Sequence, residues 1–293
     1  MSRVHKTKTE VISDFVFDIL YTIFNIFRTL IFYINKTKGG YPRSLSSNKK
    51  YKNLYNGREC FVLGNGPSLK VQNIELLKDR TVFMVNRAFM DSRYAEIKPD
   101  FHVFVDQKLC DGRWPISYLD EVISVNPDVT LVLNARWYDV DKFQVYKTKC
   151  KIIWLDCYKE PTRFNVSSKV DISKISIGKH VVENAIITAT YLGFKTVYVT
   201  GVDGDGFANL LVGMESHSYG FNEDDVVRFS SWQGIREALS SVCRWMIVWS
   251  YLDCFTKNNG TKIKNLTGRG IITMVELGEF SKVVEREDDK TAS

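Results

Sequence analysis

Three sets of residues in this chain have the types and spacing to do chemistry. The first is the run Phe61-Val62-Leu63-Gly64-Asn65-Gly66-Pro67-Ser68, which passes from a β-rich stretch into a glycine-rich turn. Two glycines let the backbone approach a ligand closely, and Pro67 with Ser68 suits a helix start whose free N–H groups attract phosphate. Leu69 stands where a dinucleotide fingerprint has its third glycine, and no Gly-Lys-Ser/Thr completes a Walker A loop. The second set is a row of polar residues closing successive apolar runs: Asn86, Asp106, Asn134, Asp156 and Asp203. The third is His217, in the polar loop Met214–Asn222, where an incoming substrate can reach it.

Each of these residues alone also suits a plain structural role, since Asn and Asp favour turns and helix caps. The row as a whole points to a polar cleft at one edge of a parallel sheet. Asp203 and Asp205 can hold Mg²⁺ beside a phosphate, yet Val-Asp-Gly-Asp-Gly is equally a tight turn without the remaining ligands of a calcium loop. Six cysteines without a CxxC pair and four histidines argue against zinc and for reduced cytosolic thiols. His102 lies inside a strand and His180 at a helix start, which suggests structural roles for both.

The elements that must position these residues are legible as apolar runs. Strands are expected at Glu59–Leu63, Thr81–Val85, Phe101–Val105, Val129–Leu133, Lys151–Leu155 and Thr196–Thr200. They are continuous runs, as expected of parallel strands buried on both faces. A helix over Lys179–Leu192 ends at Gly193, and a longer one runs from about Gln233 to Lys257, with Ser230 and Ser231 before it. Strands alternating with helices give an α/β, doubly wound, mostly parallel sheet.

Charge separates an arm from the body. Residues 1–58 carry eleven Lys/Arg, Arg3 and Lys6 among them, against three acidic residues, leaving twenty-nine basic and thirty-one acidic residues in the rest. A positive arm on a near-neutral body suits an anionic surface and not a nucleic-acid groove. Val11–Ile34 is long enough to span a membrane, but Asp14, Asp18, Asn25 and Arg28 interrupt it. Asp14, Asp18, Thr22, Asn25 and Arg28/Thr29 recur every three or four residues, so an amphipathic membrane helix with this stripe toward water is expected. The alternative is that the helix docks on the body or on a second subunit of a homo-oligomer. Residues 35–57 read as a linker, and the tail from 284 as disordered.

Gly-Asn-Gly-Pro-Ser-Leu-Lys resembles the opening motif of the bacterial sialyltransferases of glycosyltransferase family 42. It is similar as well to the broader 6-hydroxymethylpterin diphosphokinase-like group. The resemblance continues through Phe83–Asn86, Lys98–Phe101 with Asp106, Tyr191–Asp203, Ser216-His217-Ser218 and Ile263–Thr267, covering residues 58–275 in order. It implies a GT-A-like Rossmann domain with the nucleotide of a CMP-linked sugar against Gly64–Ser68. Asn65 and Asn86 would meet ribose, base or phosphate, and the backbone at Ile177-Gly178 would add a contact. His217 would act as general base on the acceptor hydroxyl. Where those sialyltransferases carry phosphate-steadying tyrosines, this chain has Gly204-Asp205-Gly206-Phe207, and Tyr219 is the substitute. Asp106 stands where they have asparagine and where the diphosphokinase-like relatives are acidic.

The expected organisation is an arm at 1–57, a nucleotide-sugar-binding domain at 58–283 and a tail at 284–293. The expected activity is metal-independent transfer of a sugar from a nucleotide donor to a glycan or lipid-linked acceptor, at the cytoplasmic face of the plasma membrane. Two alternatives stand beside it: Mg²⁺-dependent phosphotransfer using Asp106, Asp203 or Asp205, and an inactive membrane scaffold of the same fold.

Overall fold

The computed structural model describes residues 8–38, 40–220 and 231–285. Arg3, Lys6, the loop beyond Gly220, Ser230 and the tail beyond Glu285 lie outside the described residues. The body is an eight-stranded sheet of β1 (Glu59–Leu63), β2 (Val82–Val85), β3 (Phe101–Phe104), β4 (Thr130–Asn134), β5 (Lys151–Leu155), β6 (Thr196–Thr200), β7 (Lys262–Asn265) and β8 (Glu276–Leu277). Their order is β5-β4-β3-β2-β1-β6-β7-β8, and every pairing is parallel. The six expected strands are present within a residue or two; the last two strands were not anticipated.

Helices cover both faces, so successive strand residues feed two cores. Cys60, Val62, Phe83, Val85 and Val103 meet the central helix Val181–Leu192 and the long helix Trp232–Asn258 on one face. Phe61, Leu63, Met84, Phe104 and Leu131 feed the other. Eleven residues of the central helix are buried, and Gly193 ends it in the left-handed region at φ 92°. The order in which strands are added reverses between β1 and β6. That reversal brings the turns after these two strands side by side at the carboxyl edge, where open α/β sheets bind ligands.

The N-terminal helix, Lys8–Lys38, is amphipathic with the opposite facing from that expected. Asp18, Asn25 and Phe32, seven residues apart, are its buried positions among the described side chains. Asp18 accepts from Arg163 Nε and from the Tyr251 hydroxyl, each at 2.7 Å. Asn25 bonds the Glu160 backbone twice, through its carbonyl at 2.8 Å and its N–H at 2.9 Å. Arg28 donates to the Tyr158 carbonyl. The polar stripe is thus a docking seam on the protein, and the apolar side chains face outward. Periodicity marks that a stripe exists but not what meets it.

Residues 40–57, read as part of a linker, are packed. The short helix Tyr41–Ser46 buries Pro42, Ser44 and Leu45, and Asn48 donates to the carbonyls of Trp154 at 2.6 Å and Ile172 at 2.8 Å. Asn53 and Tyr55 then cap the end of the central helix by donating to Tyr191 and Leu192.

Candidate active site

The glycine turn after β1 is shaped first by its neighbour. Gly64 N–H donates to Thr200 at 2.8 Å and Gly66 N–H to Gly201 at 2.8 Å, which extends the β1–β6 pairing past the strand ends. A Cβ at Gly64 would collide with the Gly201 carbonyl, and one at Gly66 with the Asp203 carboxylate. Both glycines are therefore required by the close approach of two turns, and two of the N–H groups expected for phosphate are already used. Pro67–Val71 forms a short 3-10 turn. Ser68 is buried and donates to Asp203 Oδ2 at 2.8 Å.

The two asparagines contribute acceptors. Asn65 Nδ2 donates to the Val85 carbonyl at 3.1 Å, which turns its Oδ1 away from that carbonyl. Asn86 ends β2 in the left-handed region at φ 47°, a conformation asparagine tolerates better than most residues. Its carbonyl is held by His102 Nε2 at 2.8 Å, whose Nδ1 in turn meets the Tyr94 hydroxyl at 2.7 Å. Burial holds the His102 imidazole neutral, with its pKa lowered to about 3, so Nε2–H donates to Asn86 and Nδ1 accepts from Tyr94. His102 is structural, as expected. Asn65 Oδ1 and Asn86 Oδ1 are both buried and have no partner among the described residues, an arrangement that suits donors from a ligand.

These residues line a 360 Å³ cavity together with Pro67, Asp203, Asp205, Ser216, His217 and Trp245. His217 arrives on a strap that is fastened to the glycine turn: Ser218 N–H donates to the Asn65 carbonyl at 2.8 Å, and Glu215 pairs with Lys70. The Tyr219 ring stacks on the His217 ring at 5.0 Å and 16°, and Arg87 lies 5.3 Å from the Tyr219 centroid. Tyr219 itself lines a neighbouring polar groove with Lys70, Arg93 and Gly220, and not the cavity of His217.

His180 enters the same cavity, although its place at a helix start suggested a structural role. Burial, then the adjacent Lys179 charge, lowers its pKa to about 4, and its Nε2 has no partner among the described residues. Beneath it Glu183 accepts from the N–H groups of Lys179 at 3.0 Å and His180 at 3.1 Å, anchoring the helix start. Burial raises the Glu183 carboxyl to about 8 against those two bonds. No motif flagged His180; only its position before the central helix at the ligand edge could have done so.

A second cavity of 270 Å³ continues along the sheet edge, lined by Asn134, Cys157, Gly178, Lys179, Asn184 and Arg28 of the N-terminal helix. Gly178 reaches it, whereas Ile177 is buried in the core. Asp106 reaches neither cavity: it caps the helix Gln107–Asp111, accepting from Lys108 N–H at 3.0 Å.

The aspartates fit a Mg²⁺ site poorly. Asp203, 2% exposed, is bound by Ser68 and by Arg269 Nε at 2.6 Å, and Arg269 reaches Asp205 at 3.4 Å. The guanidinium already occupies the position between them that a cation would take. Among the described residues no group of three His, Cys, Asp or Glu side chains converges to hold a metal.

The family described as 6-hydroxymethylpterin diphosphokinase MptE-like matches residues 40–205. No curated protein sequence matches the chain significantly. Among solved structures, it is similar to the sialyltransferase CstII from Campylobacter jejuni in complex with cytidine-5'-monophosphate, at TM-score 0.41 and 16% identity over 76% of this chain and 85% of that one. The MAf glycosyltransferase from Magnetospirillum magneticum AMB-1 gives 0.47 and 16% over 87% of this chain and 42% of that one. An apo alpha-2,3-sialyltransferase from Campylobacter jejuni gives 0.37 and 15% over 80% and 95%.

Proposed function

We propose that this chain, which belongs to the 6-hydroxymethylpterin diphosphokinase MptE-like family, is a glycosyltransferase that uses a nucleotide sugar as donor. The observation that carries the reading is the meeting of His217 with Asn65 and Asn86 in one cavity at the sheet's reversal point. The amide oxygens of Asn65 and Asn86, without partners among the described residues, suit the hydroxyl and amino donors of a nucleoside. Gly178 and the second cavity extend the same edge for the remainder of the donor. In the reaction the acceptor hydroxyl attacks the anomeric carbon while His217 removes its proton. The bond to the phosphate oxygen breaks, and the nucleotide leaves with the bonding pair.

Neutral His180 and the positive end of the central helix face the departing phosphate and stabilise its charge without a metal. The acceptor in this reading is a glycan or lipid-linked hydroxyl compound, and the donor to try first is CMP-linked. Family membership supports a second reading, Mg²⁺-dependent transfer of a diphosphate. The Arg269 bridge between Asp203 and Asp205 speaks against it.

The test is phosphorus NMR of the purified chain with CMP-, UDP- and GDP-sugars, with EDTA or Mg²⁺. Release of the nucleotide in EDTA, lost in His217→Ala, is the expected result. Turnover of ATP alone, and only with Mg²⁺, would sink the sugar-transfer reading in favour of the second.

A further inference from the structure

Fifteen large apolar side chains between Val11 and Ile34 stand 39–63% exposed on the N-terminal helix. Phe164, 51% exposed and 6.2 Å from Phe15 in an edge contact, carries the patch onto the body. Monomeric soluble proteins rarely leave so contiguous an apolar surface uncovered. The helix cannot hide it by rolling, because Asp18, Asn25 and Phe32 already form its inner seam.

We infer that this outward face is a membrane-docking surface, and that the helix lies in the plane of an anionic leaflet without crossing it. The docked stretch decides the orientation. Contacts with the body run from Phe15 to Phe32, about 26 Å of helix at 1.5 Å per residue. Crossing the bilayer would drag Glu160, Arg163 and their loop into hydrocarbon, where such charges are costly. The stretch Lys8–Ser13 ahead of these contacts is only about 9 Å long, under a third of what a hydrocarbon core requires. An in-plane helix has neither problem: its polar groups meet protein, and its apolar groups meet acyl chains.

Charge decides the occupant. From Ile19 to Arg58 the chain contains eight Lys/Arg and no acidic residue. Lys36, Arg43, Lys49, Lys50 and Lys52 among them are exposed. A second copy paired through the same face would set two such segments against each other, and like charges repel. An anionic leaflet attracts all of them.

The long helix connects this surface to the candidate active site. Its residues Ser240, Arg244 and Tyr251 face the N-terminal helix, while Ala238, Ser241 and Trp245 face the cavity of His217. The cavity therefore lies about one helix diameter, ~10 Å, behind the docked helix. An acceptor hydroxyl could reach it while a lipid tail stays in the leaflet. That last point rests on the transfer proposed above; the docking surface does not.

Flotation of the full chain with phosphatidylcholine vesicles, with or without phosphatidylglycerol, tests the inference. About tenfold more protein should float with the anionic lipid, and added salt should reduce the excess. Ile23→Glu combined with Phe27→Glu and Ile31→Glu, all on the exposed face, should stay in the soluble fraction with an unchanged circular dichroism spectrum. Undiminished flotation of that variant overturns the proposal. So does a solution dimer of the unmodified chain that the variant dissociates without losing vesicle binding. Protease added to unmodified vesicle-bound protein should remove an N-terminal tag; a tag shielded by the vesicle overturns the in-plane orientation.

Discussion

The N–H of Ser218 donates to the carbonyl of Asn65 over 2.8 Å, joining residues 153 positions apart in the chain. One is the neighbour of the candidate base, and the other is the middle of the glycine turn. The bond means that His217 is registered against the turn itself and not merely carried nearby by a loop. Stacking of the Tyr219 ring on His217 fixes the imidazole plane from the other side.

His217→Ala should lower transfer by about 10²–10⁴-fold, the usual worth of a positioned proton acceptor. Nucleotide binding, read as a thermal shift, should be nearly unchanged because Asn65 and Asn86 remain. An equal loss of binding and turnover would make His217 a structural residue of the strap.

Gly66→Ala should destabilise the chain by about 1–3 kcal/mol, as overpacking does. The added methyl group meets the Asp203 carboxylate and lies 2.7 Å from the Gly201 carbonyl. A urea midpoint equal to that of the unaltered chain would show that the two turns can separate freely.

Arg269→Gln should cost about 2 kcal/mol, the worth of a hydrogen bond to a charged group, because it strips the buried Asp203 of its cation. Adding Asp203→Asn should recover part of the loss. Purely additive destabilisation in the denaturation cycle would count against the pairing.

Stability should depend on pH from both sides. Glu183 has a folded pKa of about 8, above its ordinary value of 4.5, so its contribution is full below about pH 4.5 and is lost progressively as pH rises to 8. His180 and His102 have folded values of about 4 and about 3, below their ordinary value, so their contributions hold above about pH 6.5 and are lost on acidification. Denaturant midpoints should fall between about pH 6.5 and 8 in the unaltered chain and stay level there in Glu183→Gln. A fall over that range that survives in Glu183→Gln would assign it to another group.

The sheet was legible because buried parallel strands are continuous apolar runs, and the first six are such runs. Lys262–Asn265 and Glu276–Leu277 escaped because strands toward the sheet edge carry Lys, Asn and Glu, which break the run. The glycine turn, Asn65, Asn86 and His217 could be read from type and spacing, and the fold brings them into one cavity. Asp106 shared the same strand-end signal but serves as a helix cap, a role that no local pattern separates from ligand binding. His180 and the Arg269 clamp arise from contacts between distant segments. The facing of the N-terminal helix was hidden for the same reason: the partners of Asp18 are Arg163 and Tyr251, far along the chain.

The docking seam of that helix also fixes its rotation. What it meets on the body is mostly hydrophilic, comprising Thr162, Arg163, the Glu160 backbone and the Tyr251 hydroxyl. Such directional bonds select one facing of the helix, while Phe32, buried in the core that also holds Leu45, ties its C-terminal part to the body.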